Sequence, residues 1–257
     1  MRKAALPGLL LLLPLAACGG DGDDGQTLTV LAAASLTETF TELAETFEDE
    51  HPGVDVQLVL GSSTMLAEQA ADGAPGDVLA TADEMSMTLA EDGNALAEVP
   101  DSFVSNRIAL ITPPGNPAGV ESLADLDDPD VDYVVCADTA PCGAVAVAVL
   151  EDAGVSASPA SEEVDVRAVL ARVVQGEADA GLVYRTDAVA AGDDVTEVSG
   201  SDIDDYAAAY ATNYFVAPLV SDDAQRADLA AEFVTLVRSN AALEVFTDAG
   251  FGGVART

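Results

Sequence analysis

The chain has 257 residues, 46 of them acidic and 9 basic, for a formal charge of −37. A surface this negative repels nucleic acid and anionic lipid, so neither is an expected partner. A single histidine leaves a zinc site short of ligands and argues against a Ser-His-Asp triad.

The chain opens MRKAALPGLLLLLPLAAC, with Arg2 and Lys3 ahead of an apolar run too short to span a bilayer. This predicts an export signal over residues 1–17. Residues 18–26, rich in glycine and aspartate, read as an acidic tether. Losing Arg2 and Lys3 takes the charge from −37 to −39. What remains suffices for two lobes of roughly 100 to 150 residues. From Gln26 onward, short β-branched runs alternate with amphipathic helical stretches, the pattern of βα units. TLTVLAA predicts a strand, and Leu36, Phe40, Leu43 and Phe47 share one helical face. VDVQLVL (54–60) and DVLATAD (77–83) predict two more strands, each followed by a helix. FVSNRIALIT (103–112) is long for one strand and is read as the first crossing between lobes. The second lobe is read as a helix near SLADL, strand DYVVCA, helices GAVAVAVLEDAG and VDVRAVLARVVQG, and strand AGLVY (180–184). Residues 206–220 cross back, and two helices close the chain. The expected architecture is α/β, with mostly parallel sheets flanked by helices. Its first lobe takes 27–106 plus 216–257 and its second 107–215. Two lobes joined by two crossover strands enclose a cleft suited to a small ligand and to hinge closure.

Cys136 and Cys142 lie six apart in an exported chain, which predicts a short disulfide-closed loop, with two buried thiols as the alternative. Ser35-Leu36-Thr37-Glu38 matches a capping box, with Ser35 as N-cap and Glu38 as N3. Taken alone, capping is the better reading of Ser35. Gly61-Ser62-Ser63-Thr64 forms a second strand-to-helix turn of small hydroxyl residues. Two such turns facing one space make an anion site, with free N–H groups and the positive ends of helix dipoles. Surface carboxylates more than about 8 Å away are screened at physiological ionic strength. Other chemistries find less support. His51 sits at a predicted helix end with no evident partner, and no carboxylate pair stands out among the acids. DLDDPDVD (125–132) puts Pro129 where a calcium loop needs a ligand, so a solvated acidic loop is expected.

Six segments together resemble a known family. AAASLTETF, GSSTMLAEQ, GAPGDVLATAD, PCGAVAVAVL, VDVRAVL and AGLVYRTDA are similar, in order and spacing, to the molybdate-binding components of ABC importers, whether periplasmic or lipoprotein. The likeness covers nearly all of the chain after the export signal. It implies the type II periplasmic-binding-protein fold and a carrier rather than an enzyme. The implied ligands of the oxyanion are the hydroxyl and amide of Ser35, the hydroxyl and amide of Ser63, the amides of Cys142 and Val166, and the Tyr184 hydroxyl. Cys142 stands where such proteins often have alanine. No cofactor is implied and no residue ligates a bare cation, because molybdenum, or tungsten, arrives as its oxyanion. Sulfate is the nearest alternative ligand, and a hydrolase the more distant alternative function. Arg167, beside Val166, is expected in a salt bridge. Leu15-Ala16-Ala17-Cys18 resembles a bacterial lipobox, which implies acylation of Cys18 and anchoring on the outer face of the cytoplasmic membrane. The implied partner is an importer permease, and the chain itself is expected to be a monomer.

Overall fold

The computed structural model of the chain describes residues 26–254. The expected signal, Cys18 and nearly all of the tether lie outside that range. In chain order the first lobe begins β1 (Gln26–Ala33), α1 (Thr37–Glu50), β2 (Val54–Gly61), α2 (Ser63–Ala71), β3 (Val78–Thr81), α3 (Glu84–Asp92) and β4 (Asp101–Asn106). The second lobe holds β5 (Ile108–Thr112), β6 (Tyr133–Cys136), α4 (Pro141–Ala153), β7 (Ser161–Glu163), α5 (Val166–Val174), β8 (Ala180–Tyr184), α6 (Arg185–Ala191), β9 (Thr196–Val198) and α7 (Ser201–Ala209). The chain then returns to the first lobe as β10 (Thr212–Pro218), α8 (Ala224–Val237) and α9 (Asn240–Asp248).

Each lobe is built on a five-stranded sheet, in the orders β2-β1-β3-β10-β4 and β7-β6-β8-β5-β9. Both are mixed, with four of the five strands in each running the same way. β1, β2 and β3 run parallel, as do β6, β7 and β8, whereas β10 and β5 pair antiparallel to both neighbours. The reason is the double crossing: β5 and β10 are the first strands after each passage, and each enters its new sheet against the direction of the strands there. The crossing read in residues 103–112 breaks at Arg107, between β4 and β5. The return falls earlier than the boundary at 215/216, because Thr212 to Phe215 already pair with β4. Gln26, read as the end of the tether, pairs with Val54 as the first residue of β1. The helix expected near SLADL is a 3-10 turn over Leu123–Asp127, and residues 206–209 belong to α7 rather than to the crossing.

Leu36, Phe40, Leu43 and Phe47 are buried as their spacing predicts. Phe40 and Phe47 meet Phe233 of α8 at ring distances of 6.0 and 5.3 Å, so the returning helices cover the first lobe's helix. Each such ring contributes roughly 1.5 to 3 kcal/mol by leaving water. Asp77, buried between sheet and helix, accepts from the Thr29 N–H at 2.7 Å and pairs with Arg226 of α8 at 2.7 Å. This ties the C-terminal segment to the sheet from which the first two cleft turns emerge. Among the described residues no helix is long and apolar enough to cross a membrane.

Candidate functional site

In an open α/β sheet, loops gather beyond the carboxyl ends of the parallel strands, and ligands bind there. Both sheets present those ends to one cleft. β1 runs into the 3-10 turn Ala34–Leu36, β2 into α2, β6 into α4 by way of a short loop, β7 into α5, and β8 ends at Tyr184. A cavity of about 20 Å³ lies between them, lined by Ser35, Ser63, Cys142, Val166 and Tyr184 together with small residues such as Ala33, Gly61 and Ala82. All five residues named from the sequence therefore line one space. A single water needs ~10–15 Å³, so in this arrangement of the lobes the space has the size of one small solute. A larger cavity of about 480 Å³ lies beside Asp101, Arg238 and Phe246. It lies on the first lobe alone, away from the strand ends that converge on the cleft.

The N-termini of three α-helices, α2, α4 and α5, reach the small cavity, and their first amides have no carbonyl within the helix to accept them. In α4, Pro141 supplies no N–H, and the first amide to find a helical acceptor is that of Ala144, which donates to the Ala140 carbonyl at 3.0 Å. The Cys142 amide lies before it, in a residue that lines the cavity. In α5 the Asp165 carboxylate caps the Arg167 and Ala168 amides at 2.9 and 3.0 Å, which leaves Val166 as the uncapped amide of the turn. α2 starts at Ser63 without a side-chain cap. At about half a positive charge per helix end, the three ends together present roughly one and a half positive charges to the cavity.

The hydroxyls are aimed by what they accept. Ser63 Oγ accepts from the Ala82 N–H at 2.9 Å, so its own proton is free for the cavity. Ser35 Oγ meets Tyr214 Oη at 2.7 Å. Ser35 is therefore not the N-cap read from the sequence. A 3-10 turn intervenes, Leu36 precedes α1, and no side chain caps that helix. Glu38 instead reaches across the cleft to Arg167, which also contacts buried Asp187 at 3.5 Å. Tyr184 is 1% exposed, and its hydroxyl is buried without a hydrogen-bond partner. Burial, then the neighbouring Tyr214, Asp83 and Asp187, push its acidity well away from the ordinary phenol range, so it stays protonated as a donor. An orphaned buried hydroxyl costs about 1–3 kcal/mol and calls for a ligand.

Cys136 and Cys142 are joined by a disulfide with Cα atoms 5.7 Å apart. The loop it closes packs tightly: a Cβ on Gly143 would lie 1.9 Å from the Ala137 carbonyl oxygen. Thr64 of α2 donates to the Thr139 carbonyl across the cleft at 2.7 Å, so the lobes meet on both sides of the cavity.

Two carboxylates of the acidic loop, those of Asp125 and Asp127, accept from nearby residues. Asp125 accepts from Glu121 and Ser122, and Asp127 from Ser156 and Ala157. Among the described residues no cluster suited to a metal ion forms. His51, read as lacking a partner, bonds Glu232 at 2.7 Å, a contact from a helix 181 positions away. Sequence reasoning missed Tyr214, Asn106 and the Glu38 to Arg167 bridge, all of which depend on which strands and helices meet.

Comparison with known proteins agrees with this architecture. Residues 28–252 match the family described as bacterial extracellular solute-binding protein. The molybdate-binding protein ModA of Mycobacterium tuberculosis is 34% identical over 258 residues, covering 97% of each chain. Among solved structures, the Azotobacter vinelandii periplasmic molybdate-binding protein superposes with a TM-score of 0.69 at 22% identity, over 90% of this chain and 100% of that one. The sulfate-binding protein SubI from Mycobacterium tuberculosis superposes with a TM-score of 0.75 at 17% identity, over 89% of this chain and 87% of that one. These two likenesses concern the fold. With its described length matched almost end to end and a relative of this identity, the chain belongs to the bacterial extracellular solute-binding proteins.

Proposed function

We propose that this protein captures a tetrahedral oxyanion, molybdate or its near twin tungstate, outside the cytoplasmic membrane and delivers it to the permease of an ABC importer. The buried, partnerless hydroxyl of Tyr184 at the wall of a cavity lined by free amides is the observation that carries this reading. Such a cavity offers donors. Molybdate at neutral pH is a dianion without protons, so every oxygen accepts. Phosphate retains a proton there and would gain from an acceptor. Of the one carboxylate at the wall, Asp165, Oδ1 caps α5 by accepting from the Arg167 and Ala168 amides.

The Ser35 and Ser63 hydroxyls and amides, the Cys142 and Val166 amides and the Tyr184 hydroxyl would each donate to the ion. Bonds to a charged acceptor contribute about 1.5–3 kcal/mol apiece, from which desolvation and lobe closure subtract. The named ligand of the relative ModA supports the choice among dianions. Sulfate shares molybdate's lack of protons and differs in size. No step of catalysis is assigned. Acylation at Cys18 would hold the chain, as a monomer, to the outer face of the membrane. Calorimetric titration with molybdate, tungstate, sulfate and phosphate tests the proposal. Molybdate and tungstate are expected to bind with Kd of about 1 µM or tighter. Preference for phosphate, or no binding of any of them, overturns it.

A further inference from the structure

The hydrogen bonds behind Ser35 have a direction, and that direction starts at a backbone amide. The Arg107 N–H, at the first crossing between lobes, donates to Asn106 Oδ1 at 2.9 Å. A backbone N–H can only donate, so it settles which end of the Asn106 amide is oxygen. The other end is the NH2 group, and both its protons are used. One goes to Thr186 Oγ1 in the second lobe at 2.9 Å, the other to Tyr214 Oη at 3.2 Å. Tyr214 Oη accepts that bond, and for its own buried proton the acceptor within reach among the described contacts is Ser35 Oγ at 2.7 Å, so satisfying the proton makes Tyr214 the donor of that pair. Ser35 Oγ has accepted in turn, which leaves the Ser35 proton for the cavity. Asn106 and Tyr214 are 1% and 0% exposed, so no solvent competes for these bonds.

Resting on the oxyanion reading above, we propose that Tyr214 and Asn106 are positioning residues that force Ser35 to act as a donor, and thereby help the cavity reject a tetrahedral anion that carries a proton. A serine without this constraint can turn its lone pair inward and accept from a P–O–H group. With the constraint it presents a proton to a proton, a repulsive contact for the protonated ion, while the same fixed proton is already aimed at an ion that only accepts. The Thr186 bond also attaches the relay to the second lobe, so the direction is established at the point where the lobes join.

The test is a titration of the folded Tyr214→Phe variant with molybdate and with phosphate, alongside Ser35→Ala, Ser63→Ala and the two double variants. Tyr214→Phe is expected to lose about 10-fold in molybdate affinity while phosphate affinity holds or rises, which narrows the ratio between them by about 10-fold or more. In the Ser35→Ala background the same change should cost little further, whereas in the Ser63→Ala background the losses should multiply. Equal losses for both anions, or a Tyr214→Phe effect that multiplies with Ser35→Ala, would show a merely structural role and overturn the proposal. Unchanged molybdate affinity in Tyr214→Phe overturns it too, while leaving the oxyanion reading intact; a wild-type protein that binds neither ion sinks that reading itself. Should Tyr214→Phe fail to fold, Asn106→Leu carries the test, with a several-fold narrowing expected and an unchanged ratio counting against the relay.

Discussion

In the oxyanion site proposed above, the two walls of the cleft supply donors by different means. The first lobe offers side-chain hydroxyls, Ser35 and Ser63, each aimed by an acceptor bond from behind. The second offers the backbone amides of Cys142 and Val166, held by a proline, a close-packed glycine, a disulfide and an aspartate cap, with the Tyr184 hydroxyl as its one side-chain donor. A side-chain donor disappears with its side chain. A backbone donor persists under substitution and is lost only when the chain around it moves. The walls should therefore respond to mutation in opposite ways.

The sharpest way to break this contrast is to remove a first-lobe hydroxyl. Ser63→Ala should lower molybdate affinity by about 10- to 100-fold, as the loss of a bond to a charged acceptor requires, and lower the melting temperature by a few degrees at ~2–4 °C per kcal/mol because the buried Ala82 N–H loses its acceptor. A loss under 2-fold, read by calorimetry, would mean the hydroxyl does not face the ion. On the second wall, Val166→Ala should leave affinity within about 2-fold and cost only packing, roughly 1 kcal/mol or more of stability from a buried site. Gly143→Ala should do what Val166→Ala cannot. Its Cβ would collide with the Ala137 carbonyl and shift the start of α4, for an expected loss of about 10-fold.

A milder perturbation of the same turn is chemical. Reduction of the Cys136 to Cys142 bond, verified by thiol titration, should weaken binding several-fold by loosening the loop that holds the Cys142 amide. Unchanged affinity would place the rigidity of that turn in Gly143 and Pro141 alone.

The smallest effect concerns stability behind the second wall. Burial pushes the Asp187 pKa up to about 7, with Arg167 pulling it back. The folded value thus lies above the unfolded one of about 3.9, and the native state holds the proton more tightly. This contribution to stability is complete below about pH 3.9 and is lost as pH rises through about 7. Asp187→Asn removes that loss, so its melting temperature should fall less between pH 5 and pH 8 than the parent's, by a few degrees at ~2–4 °C per kcal/mol. Identical pH slopes would mean that Asp187 is charged throughout.

The same contrast explains what the sequence disclosed. Leu36, Phe40, Leu43 and Phe47 announce their helix by spacing, and two serines after β-branched runs announce anion-binding turns. A backbone donor leaves no mark on its own residue type, so Cys142 and Val166 emerged only through resemblance to a family. The short β7, with the sequence SEE, carries no apolar alternation and could not be read as a strand. The capping box at Ser35 failed because its hydroxyl found Tyr214, 179 positions away, and its glutamate found Arg167, 129 positions away. Local rules rank local partners, and both residues were taken by distant ones.

Diffraction from crystals grown with molybdate, collected at the molybdenum absorption edge, tests the central claim most directly. The account predicts a single anomalous peak in the small cavity, within hydrogen-bonding reach of Ser35, Ser63, Tyr184 and the Cys142 and Val166 amides. A peak elsewhere, or a cavity without one in protein that binds the ion in solution, would contradict it.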